Sequence, residues 1–215
     1  MTTRGFCISM VAGALALTAS AASAQTQQLG FKIDGDRFVV DVPDGFCLPA
    51  GDDADTAKQY ASGDTRNVTP VDLQRCGTFE QDYVLVKSPR GLDKVTMAKE
   101  DFIAGLAAEL EQQFPVNNGG KQGLIDLREE TEGDRDVRVV NFGLSGTDDQ
   151  CAYLGGEVVV TFSDGKTEPV YVGSCGTVVG DRHVFVHSYA RVASGASVQS
   201  LQARSRALSE AITPR

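Results

Sequence analysis

Tight turns between short apolar runs are the feature of this sequence that most restricts its fold. Asp34-Gly35 lies between two such runs, and Asp-Gly is the strongest short signal for a two-residue β-hairpin. Gly133-Asp134 and Asp164-Gly165 separate further apolar runs. Parallel strands need crossover connections of a dozen or more residues, whereas antiparallel strands can be joined by short turns. The sequence therefore predicts a mainly antiparallel sheet.

Two segments show helical periodicity instead. The first covers residues 97–114 and stops before Pro115; its apolar face consists of Phe102, Ile103, Leu106, Leu110 and Phe114. The second covers residues 197–212, with Ser197 as the expected N-cap and Pro214 as the expected stop. Its apolar side consists of Val198, Leu201, Leu208 and Ile212. A further short helix is expected within residues 55–61.

Helices with one apolar side need another layer to cover. The predicted fold class is therefore α+β, with an antiparallel sheet of about six to seven strands flanked by helices. The expected domain organisation is a signal peptide over residues 1–24 and a single α+β domain over residues 25–215, since a chain of this length forms one domain on average.

The first 24 residues have the pattern of a secretory signal peptide. Arg4 precedes the apolar run ISMVAGALALTA, and Ala22-Ser23-Ala24 supplies the small residues of a cleavage site. The run is shorter than the about 20 residues that a membrane-spanning helix needs. We expect a periplasmic or secreted protein, cleaved near Ala24, with no integral membrane segment in the mature chain.

Four cysteines remain after this cleavage, and an even number in an oxidising compartment indicates two disulfides. Four cysteines allow three pairings. We favour the two pairings that close the shorter loops, Cys47–Cys76 and Cys151–Cys175.

The Cys151–Cys175 bridge requires a particular register between the two strands of its hairpin. If the hairpin turned at Asp164-Gly165 with two central residues, Cys151 would lie opposite Val178 rather than near Cys175. A bulge at Gly155-Gly156 would remove this offset. We therefore expect a bulge there.

The chain is acidic, with a formal net charge of −9 that becomes about −10 once Arg4 is removed. This charge disfavours nucleic acid and anionic membrane surfaces as partners. It is compatible with a basic protein or a cation. The expected partner is a protein or a small-molecule ligand, and the sequence leaves the oligomeric state open.

The order of elements resembles that of the PsbP-like family, whose fold is shared by exported bacterial proteins of the DcrB type. The resemblance is carried by FVVDVPDGFCLP after the first hairpin, by DFIAGLAAELEQQF, and by the terminal SVQSLQARSRALSEAI. It implies an α/β/α sandwich. It also implies a binding, accessory or assembly module rather than an enzyme, and it transfers no functional residue to this chain.

Both histidines of the chain lie four residues apart in HVFVHSY, whose alternation and β-branched content predict a strand. Residues four apart on a strand are about 13 Å apart, which is too far for two ligands of one zinc ion. His183 and His187 are therefore expected to share a face with Phe185 and Tyr189 without sharing a metal. The candidate ligand-facing residues are His183, His187 and Tyr189.

No catalytic, cofactor or metal constellation is complete in the sequence. Ser163 and Lys166 have the S-x-x-K spacing of an acyl-transfer pair, but they flank a turn rather than starting a helix. The segment Asn117–Gly123 lacks the first glycine and the Ser/Thr of a P-loop. We expect a non-enzymatic exported binding or accessory module. The alternative is a small periplasmic hydrolase that uses His183 or His187 with an acidic partner.

Overall fold

The computed structural model describes residues 27–114, 136–161 and 166–215. The predicted signal peptide, the turns at 133–134 and 164–165, the segment 117–123 and Ser163 lie outside these ranges. Within them, the strands are β1 Gln28–Ile33, β2 Asp36–Asp41, β3 Phe46–Cys47, β4 Asn67–Arg75, β5 Asp82–Pro89, β6 Asp136–Thr147, β7 Ala152–Thr161, β8 Thr167–Val179, β9 Arg182–Arg191 and β10 Thr213–Pro214. The α-helices are α1 Asp52–Gly63, α2 Lys99–Gln113 and α3 Val198–Ala211.

The strands form two antiparallel sheets. Seven strands pair in the order β3-β4-β5-β9-β8-β7-β6, and three pair in the order β1-β2-β10. Every pairing between neighbouring strands is antiparallel. The predicted antiparallel α+β fold is therefore confirmed.

The first hairpin forms at the predicted Asp-Gly turn. Asp34 has φ 46° and Gly35 has φ 92°, the two positive angles that the tight hairpin turn requires. The register places Phe31 opposite Phe38, and their rings stack at 5.7 Å. The turn chemistry therefore sets the pairing of the first two strands.

The large sheet is covered on both faces. The face that we call the α3 face carries α3 and the small sheet, with a core that includes Ile33, Val40, Val84, Val184 and Leu208. On the opposite face, the α2 face, Ile103, Leu106 and Leu110 pack on Ala152 and Leu154. The two predicted apolar helix faces therefore cover opposite sides of the sheet.

The predicted C-terminal helix is confirmed, and a short strand that was not predicted follows it. The Ser197 side chain caps α3 as expected, accepting a hydrogen bond from the Ser200 backbone N–H at 3.1 Å. The helix ends at Ala211, before Pro214, and Thr213-Pro214 then pairs with β2. Proline is tolerated there because β10 is an edge strand.

Both predicted cysteine pairs lie at disulfide distance, with Cα–Cα separations of 5.1 Å. Cys151 and Cys175 are completely buried, whereas Cys47 and Cys76 are exposed. The two bridges therefore lie in contrasting surroundings.

The predicted bulge at Gly155-Gly156 is wrong. The pairing of β7 with β8 is continuous from Ala152↔Gly176 to Thr161↔Thr167, one residue away from the register that a two-residue turn would give. Cys151 precedes Ala152 and reaches Cys175 diagonally, so no extra residue is needed. The irregularities lie on the other side of β7, in its pairing with β6.

None of the helices in the described ranges has the length and apolar character needed to cross a membrane.

Candidate functional site

The central strand of the large sheet is covered unequally on its two sides. On the α3 face of β9, Val184, Val186, Ser188 and Ala190 are completely buried. On the α2 face, every residue of β9 is only half-buried. Helix α2 contacts β6, β7 and β8, and α1 contacts β4 without burying any of its own residues. The sheet between these helices is thus partly open.

We call this partly open part of the α2 face the β9 surface. It is formed by β9 and by the same-face residues of β5 and β4. These residues are Asp72, Gln74, Tyr83, Leu85, Lys87, His183, Phe185, His187 and Tyr189. The surface contains all three candidate ligand-facing residues from the sequence.

Aromatic rings form a continuous row along the β9 surface. Successive ring centroids are 4.9 Å apart for Phe102–His183, 4.7 Å for His183–Phe185 and 5.5 Å for Phe185–His187. The row continues through Tyr189, at 6.2 Å from His187, to Tyr83, whose ring stacks on that of Tyr189 at 4.6 Å. It therefore begins under α2 and ends on β5, with half-buried rings throughout.

The two histidines are electrically neutral in this setting. Burial lowers the pKa of His183 to about 4, and its buried Nε2 has no hydrogen-bond partner. Burial, followed by the nearby Lys87 ammonium, lowers the pKa of His187 to about 3. Within the described ranges, no group of three or more His, Cys, Asp or Glu residues is arranged to hold a metal ion.

His183 gives a pH-dependent prediction. As pH falls below 6.5, the unfolded chain takes up a proton on His183 that the folded chain accepts only near pH 4, so stability is lost in this window. His183→Phe removes this linkage and the unpartnered nitrogen. In urea unfolding, the free energy of unfolding of the variant minus that of the parent should be roughly 1–2 kcal/mol larger at pH 5 than at pH 8. An equal difference at both pH values would contradict the assignment.

His187 pairs with a serine rather than with a carboxylate. Its Nδ1 lies 2.8 Å from the hydroxyl oxygen of Ser174, which is completely buried. Among the described residues, neither histidine ring is hydrogen-bonded to an Asp or Glu. A buried hydroxyl is out of reach of a substrate, so the arrangement orients the imidazole rather than activating a nucleophile.

A buried ion pair fixes the end of α1 against β5. The Asp64 carboxylate lies 2.7 Å from Lys87 Nζ and accepts the backbone N–H of Asn67 at 2.8 Å. Burial acts to raise the pKa of Asp64, but Lys87 and the Asn67 hydrogen bonds outweigh it and hold the pKa below its usual value. The charge of Lys87 on the β9 surface is therefore already compensated.

Asp72 is the exception among these charged groups. Its carboxylate accepts a 2.5 Å hydrogen bond from Gln74 Nε2, and no described cation forms an ion pair with it. Burial is the main cause that raises the pKa of Asp72 to about 6, with the Gln74 bond acting in the opposite direction. The β9 surface therefore holds one carboxylate without a compensating positive charge.

Asp72→Asn is expected to stabilise the protein at neutral pH. Between about pH 4 and pH 6 the folded chain holds a proton on Asp72 that the unfolded chain has lost, so the parent loses stability as pH rises through this window. The amide cannot ionise, so the variant should be about 1–2 kcal/mol more stable at pH 7.5, and no more stable at pH 3.5. Urea unfolding at both pH values checks this. A destabilised variant at pH 7.5 would contradict it.

Sequence reasoning found the β9 part of this surface and missed the rest. His183, His187 and Tyr189 share one face as expected. Asp72 and Lys87 are not among the predicted site residues, and for Asp72 the reason is that no strand is predicted over β4. The alternation of buried Val71 and Leu73 with Asp72 and Gln74 was the signal that could have revealed it.

A second concave region lies at the end of the β8–β9 hairpin. This cleft of about 300 Å³ is lined by residues that include Asp36, Lys94 and Asp181. Lys94 Nζ lies 2.7 Å from Asp181 and 3.1 Å from Asp36, so these charges neutralise one another. These three charged groups thus join the small sheet to the large one.

Comparison with known proteins identifies a neighbour in fold. No family model and no curated protein sequence matches the chain significantly. Among solved structures, it is similar to the solution structure of cyanobacterial PsbP (CyanoP) from Synechocystis sp. PCC 6803, at 9% sequence identity and a TM-score of 0.41. The similarity covers 93% of this chain and 99% of that chain. The fold class rests on the strand order and layers of this chain itself, and its resemblance to a PsbP-like protein is one of fold alone.

Proposed function

We propose that this chain is a non-enzymatic, exported binding or accessory module that holds a ligand or partner against the β9 surface. The observation that carries the proposal is the unequal cover of β9, whose five residues on the α2 face are half-buried while those on the α3 face are buried. Antiparallel sheets commonly leave one face in contact with solvent, and here the open part lies on the α2 face, between the two helices that cover it. A partly open centre lined with aromatic and polar groups has the composition of a ligand site.

The chemistry of the surface supports binding rather than catalysis. Both imidazoles are held neutral, with pKa values of about 4 and about 3, well below the range in which a general base works at neutral pH. The hydroxyl next to His187 belongs to Ser174 and is completely buried. The alternative hydrolase would need a reachable nucleophile and an acidic partner for the histidine, and the described residues of this surface offer neither.

Export is supported by the cysteines and the N-terminal sequence. Two cysteine pairs at disulfide distance are compatible with an oxidising compartment. Expression of the full chain in a Gram-negative host tests this part of the proposal. We expect periplasmic protein that starts at Gln25 and has no thiol that can be alkylated before reduction. Cytoplasmic protein that retains Met1 would overturn it.

Binding at the β9 surface is tested by NMR titration of the ¹⁵N-labelled mature protein. The probes are three fragments with one aromatic ring and different charge: 2-phenylethanol, phenylacetate and 2-phenylethylammonium. We expect at least one of them to shift the amide signals of β5 and β9. Shifts confined to other regions, or no shifts with any probe, would overturn the proposed site.

Two tyrosine variants show whether the probes bind at the β9 surface itself. Tyr189→Ala removes a ring from the β9 surface and should weaken the shifts. Tyr171→Ala is the matched control, because Tyr171 pairs with Ala190 and thus lies on the opposite face of the same sheet. If both variants weakened the shifts equally, the probes would not be binding where we propose.

A further inference from the structure

The charge of Asp72 gives the β9 surface a preference among ligands. Asp72 lies in the middle of β4, opposite Leu85, with its side chain on the α2 face. Gln74 is its one hydrogen-bond partner among the described residues, and Gln74 is a neutral amide. Burying a carboxylate without a cation is costly, and structures usually provide a positive charge for it.

The cationic residues of β5 and β9 form ion pairs with other carboxylates. Lys87, on the adjacent strand, forms the 2.7 Å pair with Asp64. Arg191, which acts electrostatically on Tyr83, lies 2.6 Å from Glu168. Among the described residues, none of these cations forms an ion pair with the Asp72 carboxylate.

The environment of Asp72 also includes an aromatic pair. Burial is the main cause that raises the pKa of the Tyr83 hydroxyl, and the neighbouring Tyr189 and Asp72 add to it. The Tyr83 ring stacks on the ring of Tyr189. Aromatic rings attract cations through their quadrupole, and a carboxylate adds a charge-assisted hydrogen bond to an ammonium group. A carboxylate beside stacked rings is thus suited to an organic cation that has its own apolar part.

From this arrangement we infer that the β9 surface binds an organic cation, with an ammonium or guanidinium group against Asp72 and an apolar or aromatic part along the Tyr83–Tyr189 pair. The net charge of −9 favours the approach of such a ligand. The inference rests on the proposed function, whose ligand class it specifies.

A structural role is the competing explanation for Asp72. Its hydrogen bond orients Gln74, whose Oε1 accepts the backbone N–H of Glu80 at 2.9 Å. In that case Asp72 would support the turn between β4 and β5. If Asp72 had this role alone and did not contact the ligand, Asp72→Asn would change the binding of charged and neutral probes equally, so the two explanations can be separated.

The test compares the affinities of 2-phenylethylammonium and 2-phenylethanol by NMR titration of the mature protein at pH 7.5. We expect the cation to bind about tenfold more tightly than the alcohol, as for one charge-assisted hydrogen bond. Asp72→Asn should abolish this preference. Asp93→Asn, which removes a carboxylate from an exposed loop position, is the control and should retain it. At pH 5, where Asp72 is mainly protonated, the parent should lose most of the preference.

Each outcome has a distinct meaning. Equal binding of cation and alcohol by the parent at pH 7.5, or an unchanged preference in Asp72→Asn, would overturn the inference. If the parent showed no preference for the cation but the alcohol or phenylacetate shifted the signals of β5 and β9, the proposed binding surface would be supported and its preference for cations would be wrong. If no probe shifted these signals, the proposed function itself would fall.

Discussion

Gly173→Val is expected to lower the free energy of unfolding by about 3 kcal/mol, through overpacking between α3 and the sheet. A Cβ atom at position 173 would lie 2.6 Å from Leu201 Cβ and 2.6 Å from the backbone nitrogen of Gln202. These atoms belong to the body of α3 and cannot rotate away. The helix would have to move off β8, breaking the 2.8 Å hydrogen bond from Ser205 to the Gly173 carbonyl.

Gly105→Ala provides the matched control for this prediction. Gly105 is an exposed residue of α2, and a Cβ atom there would meet nothing within 4 Å. Alanine should stabilise the helix by up to about 1 kcal/mol. Urea unfolding measures both variants, and hydrogen exchange of α3 should rise only in Gly173→Val. A loss below about 1 kcal/mol at position 173 would show that α3 is not held this closely.

The sequence predicted those elements whose signals are local. The Asp34-Gly35 turn, the apolar stripe of α2 and the Ser197 cap each depend on residues close together in the chain. Such signals also sufficed for the antiparallel fold class, because tight turns leave few other ways to pair strands. The pairing Cys151–Cys175 followed from loop length, although the expected bulge did not form.

Elements that depend on distant partners were not predicted. β4 contains Pro70 and alternates buried with polar residues, and it becomes a strand by pairing with β5 and with the two residues of β3. β10 consists of two residues that pair with β2, some 170 positions earlier in the chain. The alternation over residues 71–74 favours a strand there, but no local pattern specifies the partners of β4 or of β10.

The candidate site likewise combines features that a local sequence pattern predicts with features that depend on distant residues. The alternation of HVFVHSY predicted that His183, His187 and Tyr189 share a face. It did not predict that α1 and α2 leave this face half-covered. Nor did it show that Lys87 would pair with Asp64, 23 positions away, while Asp72 stayed without a cation. The charge state of the surface is set by these long-range pairs, and the ligand preference we infer depends on it.

Removing the Cys151–Cys175 bridge is expected to cost about 3–5 kcal/mol of stability. The double variant Cys151→Ala, Cys175→Ala frees a segment with a sequence separation of 24 in the unfolded chain, which accounts for about 3 kcal/mol. Both cysteines are completely buried, so the missing sulfur atoms also leave a cavity between the sheet and α3. Urea unfolding of the mature variant measures the combined loss.

The double variant Cys47→Ala, Cys76→Ala separates the two contributions. Its sequence separation of 29 gives nearly the same chain-entropy cost, but both residues are exposed and removal of their sulfur atoms leaves no cavity. It should therefore be the less damaging variant by about 1 kcal/mol.

The contrast in exposure between the two bridges also predicts the order in which they are reduced in the folded protein, since a thiol reductant must reach the bridge that it attacks. Brief treatment with dithiothreitol followed by alkylation should label Cys47 and Cys76 first. Labelling of Cys151 and Cys175 at an equal rate would show that the layer covering β8 opens as readily as the exposed bridge is reduced.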